Sequence, residues 1–114
     1  MPPRLVPRLR VVQNDTIVLG PGKADLLEAI GRLGTLREAA AEMEMSYMRA
    51  WKLVGIMNEA FREPLIATTR GGADGGRADL TLAGRDALEL YRRLERESVK
   101  ATRESWKALR KMIR

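Results

Sequence analysis

The chain has 114 residues, with 21 Lys and Arg against 15 Asp and Glu, no Cys and no His. That length supports one hydrophobic core rather than two independent domains. The missing Cys and His exclude disulfides, thiol chemistry, the usual structural zinc ligands and the commonest general base. No apolar run is long enough to span a bilayer, and Met1-Pro2-Pro3-Arg4 lacks the apolar stretch of a signal peptide. The expectation is a soluble, cytoplasmic, non-enzymatic protein with no cofactor and no metal. The net charge of +6 makes nucleic acid a leading partner. Its distribution is uneven: residues 92–114 carry nine basic and three acidic groups, whereas residues 1–91 carry twelve of each.

Residues 8–19 read as two short strands around Asn14-Asp15, and Gly20-Pro21-Gly22 ends them. Leu26, Leu27, Ile30 and Leu33 recur at helical spacing and predict a helix from about Lys23 to Leu33, stopped by Gly34. Thr35 with Glu38 three residues on is a capping-box pattern. It opens a short helix from Leu36 to about Met43 that is rich in alanine. After a break at Glu44-Met45, Ser46 caps a third helix to about Phe61. Its apolar stripe is Ala50, Trp51, Val54, Met57 and Phe61, widened by Leu53 and Ile56, so Trp51 is read as core with no role in DNA binding.

Residues 65–70 and 77–80 follow as two strands, joined by a tip rich in glycine, Gly71-Gly72-Ala73-Asp74-Gly75-Gly76. Thr81 caps a final helix from Leu82 to near Met112, about 45 Å long at ~1.5 Å per residue. Leu88, Tyr91 and Leu94 form one stripe on it, and Val99, Thr102, Trp106, Leu109 and Ile113 another at coiled-coil spacing. The two stripes do not share one heptad register. The helix is expected to pair with its symmetry mate, with Leu88, Tyr91, Leu94, Val99, Trp106 and Leu109 in the dimer seam.

Short helix, tight turn, helix, two strands and a long helix make a winged helix-turn-helix. The fold class is mainly α with small β hairpins (α+β). It divides into a winged helix-turn-helix over residues 1–81 and a long dimerisation helix over 82–114. The third helix must bury one stripe and offer polar groups near its N-terminus to the major groove. Ser46, Tyr47, Met48 and Arg49 lie off the Ala50/Val54/Met57 stripe and are the candidate base readers, with Arg49 suited to guanine. Thr35, Lys52, Arg70, Gly71, Gly72 and Arg77 are the candidate phosphate and wing contacts. Arg4, Arg8 and Arg10 form a separate basic cluster, open to two readings: DNA contact or a loose tail. The +6 of residues 92–114 reads as a solvated flank of the dimer, with steering of DNA as a secondary effect.

Here a family resemblance becomes specific. Ser46-Tyr47-Met48-Arg49-Ala50-Trp51, continuing to Met57-Asn58, resembles the Ser-Tyr-x-x-Ala-Trp…Met-Asn recognition helix of ModE-type molybdate-responsive regulators. Gly34-Thr35-Leu36-Arg37-Glu38-Ala39-Ala40 is similar to the lead-in of those helices. Thr69 to Thr81, with the exit Leu80-Thr81-Leu82-Ala83-Gly84, is similar to their glycine-rich wing. The resemblance covers about residues 8–95. It implies a LysR-like winged helix-turn-helix that binds double-stranded DNA as a homodimer and regulates transcription. ModE proper continues into molybdate-binding domains that have no counterpart before Arg114, so molybdate is not expected to bind this chain alone. The alternative reading is a protein–protein interaction module that pairs with another regulator through its C-terminal helix, with weak or no specific DNA binding.

Overall fold

Asn14 and Asp15 both take left-handed backbone, φ 50° and 62°. These are the paired positive values of a type I′ turn, which Asn and Asp tolerate better than other side-chain-bearing residues. The turn closes a hairpin of β1 (Val11–Gln13) and β2 (Thr16–Leu19), with Val12 opposite Ile17 and Gln13 opposite Thr16. This computed structural model describes residues 1–69 and 76–114. Helix α1 (Pro21–Leu33) begins on a proline, whose missing N–H costs nothing in the first turn. It stops at Gly34, where φ is 79° and the amide donates to Ile30 O at 2.9 Å. Only glycine adopts that conformation without penalty, which is why the helix ends there.

Helices α2 (Leu36–Glu42) and α3 (Tyr47–Ala60) start where their caps predict. Thr35 Oγ1 accepts from the Glu38 amide at 3.2 Å, and Ser46 Oγ accepts from the Arg49 amide at 3.1 Å. Each cap contributes about 1 kcal/mol. Between the helices Glu44 takes a φ of 55°, so the chain reverses within a few residues. Ala39 and Ala40 are buried at the crossing and give α3 room to approach. Strands β3 (Ile66–Thr69) and β4 (Arg77–Leu80) pair antiparallel, with Ile66 opposite Leu80 and Thr69 opposite Arg77. The expected tip residues Arg70 to Gly75 lie outside the described residues.

The core is one cluster: Leu26, Leu27 and Ile30 of α1, Ala50, Val54 and Met57 of α3, and Leu65, Ile66, Ala78 and Tyr91 around them. Fully burying a leucine or isoleucine contributes about 1.5–3 kcal/mol. Polar groups fix how the strands sit on it. Asn58 Oδ1 accepts from the Leu65 and Ile66 amides at 2.9 and 3.0 Å, and its Nδ2 donates to Ile66 O at 3.0 Å. The Ala78 amide donates to Gly34 O at 3.0 Å, tying β4 to the α1–α2 turn. Gly84 lies so close to the Leu65 carbonyl that an added Cβ would meet that oxygen at 2.0 Å. A side chain there requires the Leu65 backbone to shift.

Two expectations for the C-terminal region are corrected. The single helix to Met112 is two, α4 (Leu82–Ala101) and α5 (Arg103–Arg110). At the joint, Thr102 has φ −99° and ψ 7°, and its hydroxyl donates to Ser98 O at 2.7 Å. Such back-bonding to the preceding turn bends helices. Secondly, Tyr91 is no seam residue. It is 1% exposed in the core, and its hydroxyl donates to Leu9 O at 2.7 Å. Leu88 also packs against the core. Leu94, Val99 and Leu109 are exposed, as is Leu90, which the stripe assignment omitted. Arg92 adds a polar tie between α4 and α1, 2.8 Å from Asp25, 3.4 Å from Glu28 and 3.1 Å from Glu95.

Candidate nucleic-acid interface

The Ser46 cap sets the direction of α3, and the burial of Ala50, Leu53, Val54 and Met57 sets its rotation. Those two constraints leave Ser46, Tyr47, Met48, Arg49 and Lys52 exposed together on the first two turns. Tyr47 and Trp51, one turn apart, stack with ring centroids 6.5 Å apart and an interplanar angle of 13°. The Arg37 guanidinium sits 5.6 Å from the Tyr47 ring centroid, a cation–π contact from α2 onto α3. Trp51 is therefore not core. It is 49% exposed, and Met48 beside it is 72% exposed. The reason is angular: a residue next to buried Ala50 is rotated by about 100° around the helix, onto the flank of the stripe. The i, i+4 spacing from Tyr47 was the signal available in sequence.

Tyr47, Met48 and Trp51 form one wall of a groove of about 560 Å³, with Leu36 at its end and Thr68, Thr69 and Arg77 across it. Helix α3 and the strand pair thus face one another over an open, mixed polar and apolar cleft. Arg77 spans the outer edge of β4. Its Nη2 lies 3.0 Å from Asp79 Oδ1, and the hydrogen bond and charge of Asp79 hold its guanidinium above its ordinary pKa. The same guanidinium covers Gly34, where an added Cβ would meet Nη2 at 2.8 Å. Thr35, next in the chain, uses its hydroxyl as the α2 cap. Arg77, Thr35 and the α3 N-terminus accordingly flank one surface.

Not every expected site residue converges there. Arg49 turns away from the cleft to line a separate cavity with Arg8, Arg10 and Lys23. Arg70, Gly71 and Gly72 lie outside the described residues. Arg37 and Lys23 were not singled out as site residues from sequence, Trp51 was assigned to the core, and the structural role of Asn58 was not read. Among the described residues no helix is long and apolar enough to cross a membrane.

No family model matches the chain. Curated relatives do. The molybdenum-pterin-binding protein MopA of Rhodobacter capsulatus is 41% identical over 83 residues, 73% of this chain and 31% of its own. The molybdenum transport protein ModE of Azotobacter vinelandii is 36% identical over 94 residues, 82% of this chain and 35% of its own. The transcriptional regulator ModE of Haemophilus influenzae is 32% identical over 88 residues, 77% of this chain and 34% of its own. The chain spans about a third of the length of the curated relatives it matches. Its homologues are ModE regulators and molybdenum-pterin-binding proteins, which supports the ModE-like resemblance carried by the α2–α3 and strand-pair motifs.

Proposed function

We propose that this chain is a ModE-like, non-enzymatic transcriptional regulator that binds double-stranded DNA in a sequence-specific manner as a homodimer, through a winged helix-turn-helix. The observation that carries the reading is the exposed face at the start of α3. A capped helix presents Tyr47 and Met48 beside a cleft whose far wall is a strand pair, with Arg49 and Lys52 exposed on the same two turns. In this reading Ser46, Tyr47, Met48 and Arg49 contact base edges in the major groove, with Arg49 on guanine. Thr35, Lys52, Arg70, Gly71, Gly72 and Arg77 position the module on phosphates. Arg77 exchanges Asp79 for a phosphate oxygen when DNA arrives. The relatives named as ModE regulators support a role in transcription.

The dimer is supported by apolar side chains left in solvent along the C-terminal helices, Leu90, Leu94, Val99 and Leu109, each more than 40% exposed. Leu90 and Leu94, one turn apart, form an exposed apolar pair on one face of α4. Selection of genomic fragments by the purified protein tests the whole reading. A two-fold symmetric motif is expected, and retention without any motif would sink specific regulation. On a selected site, Arg49→Ala is expected to cost about 1–3 kcal/mol of binding and to relax one base position. Fluorescence anisotropy across a panel of single-base variants measures both, and unchanged affinity and preference would remove α3 from the reading head.

A further inference from the structure

Residues 1–91 are neutral in sum, yet four of their cations, Arg8, Arg10, Lys23 and Arg49, line a single cavity of about 270 Å³. They come from three segments: the N-terminal arm supplies Arg8 and Arg10, the start of α1 Lys23, and α3 Arg49. No carboxylate lines the cavity, and among the described residues none of the four is in a salt bridge. Converging like charges repel, and among the described residues no carboxylate pairs with these. The Lys23 ammonium is held below its ordinary pKa first by burial and then by the charge of Arg49.

The cavity floor adds to the positive field. It includes Gly20, Pro21 and Gly22, the uncapped start of α1, which has no acidic residue in its first turn. The first intrahelical bond is Ala24 N–H to Gly20 O, at 2.8 Å, so the amides of Gly22 and Lys23 precede the ladder. The fold does not require glycine at position 22, because an added Cβ there would meet nothing within 4 Å.

We propose that this cavity seats a phosphate-type oxyanion, and that on DNA its occupant is a backbone phosphodiester lying beside the α3 reading head. The N-terminal arm is then part of the interface rather than a loose tail. The bound oxyanion offsets the repulsion between Lys23 and Arg49. The DNA assignment rests on the function proposed above; the oxyanion site does not.

Two titrations of the full chain, followed by amide NMR, test it: one with a duplex of random sequence, one with inorganic phosphate. The duplex is expected to shift the Gly22, Lys23 and Ala24 amides saturably. Lys23→Gln, and separately the pair Arg8→Gln with Arg10→Gln, are expected to weaken random and selected duplexes by the same factor. The slope of log affinity against log salt should fall by about one per cation removed. The spectra of the variants report directly that each is folded. If inorganic phosphate alone shifts these amides, and Lys23→Gln abolishes the shift, the site is an oxyanion site independent of DNA. If the duplex moves the α3 amides but leaves residues 22–24 unmoved, the assignment of this site to a DNA phosphate is overturned while DNA binding stands. If no duplex binds but inorganic phosphate does, DNA binding falls and the oxyanion site stands. If neither moves residues 22–24, or if the variants weaken only the selected sequence, the proposal is wrong.

Discussion

The first 91 residues and the last 23 differ in every physical respect that bears on function. The first part has no net charge, one continuous core and cations gathered at defined places by packing. The last part holds the whole +6, and α5 buries no residue at all. A count of charges directs attention to the second region. The geometry directs it to the first, where cations are held in place against a helix start, an aromatic face and a strand pair. Fixed charge at a defined position supports recognition, whereas the same charge along a solvated helix supplies solubility and nonspecific steering.

Tyr91 marks the boundary between the regions, so its removal is the harshest test of where the core ends. Tyr91→Ala is expected to destabilise the fold by about 3 kcal/mol or more, as truncating a buried aromatic does. Denaturant unfolding at several protein concentrations reads it. A loss that disappears at high concentration would return Tyr91 to a dimer seam. Gly84→Ala probes the joint between the strands and α4. With the Leu65 carbonyl in the way of any Cβ, about 1–3 kcal/mol is expected from overpacking, measured as a lower denaturation midpoint with unchanged slope.

On the other side of the boundary the pattern should invert. Leu94→Asp is expected to leave the stability of the monomer within about 0.5 kcal/mol while shifting the protein toward monomer in light scattering. A large loss of monomer stability would mean that α4 packs on the domain through that face. The smallest effect concerns pH. Arg32 and Glu42 pair across the ends of α1 and α2, and the hydrogen bond from Arg32 holds the Glu42 carboxyl below its ordinary 4.5. A depressed carboxyl stabilises the fold at pH above that ordinary value, and the contribution is lost as pH falls through the lowered one. Glu42→Gln should therefore lower the neutral plateau of a stability–pH curve slightly and leave its acid end nearly unchanged, which flattens the limb between them.

Local chemistry made much of this molecule legible in its sequence. The Asn14-Asp15 turn, the Gly34 stop and the Thr35, Ser46 and Thr81 caps all stand where short-range hydrogen bonding and φ preferences put them. The motifs that resemble ModE sit on α2, α3 and the strand pair in the expected order. What misled was the assignment of faces. Trp51 and Tyr91 are large and mostly apolar, and each falls near an apolar stripe, yet one lies in solvent and the other in the core. Periodicity ranks residues by angle around their own helix, and a few tens of degrees decide burial at the edge of a stripe.

Element order, helix starts and stops, and the exposed start of α3 follow from residues within a few positions of one another. The partners of those elements do not. That Arg49 shares a cavity with Arg8, Arg10 and Lys23, that Arg37 covers Tyr47 and that Tyr91 reaches back to Leu9 depend on how the elements pack. Caps and turns are settled by hydrogen bonds a few residues long, so they can be read along the chain. Charge clusters and buried faces are settled by the minimum-void packing of separate elements, and they exist only once the core has closed.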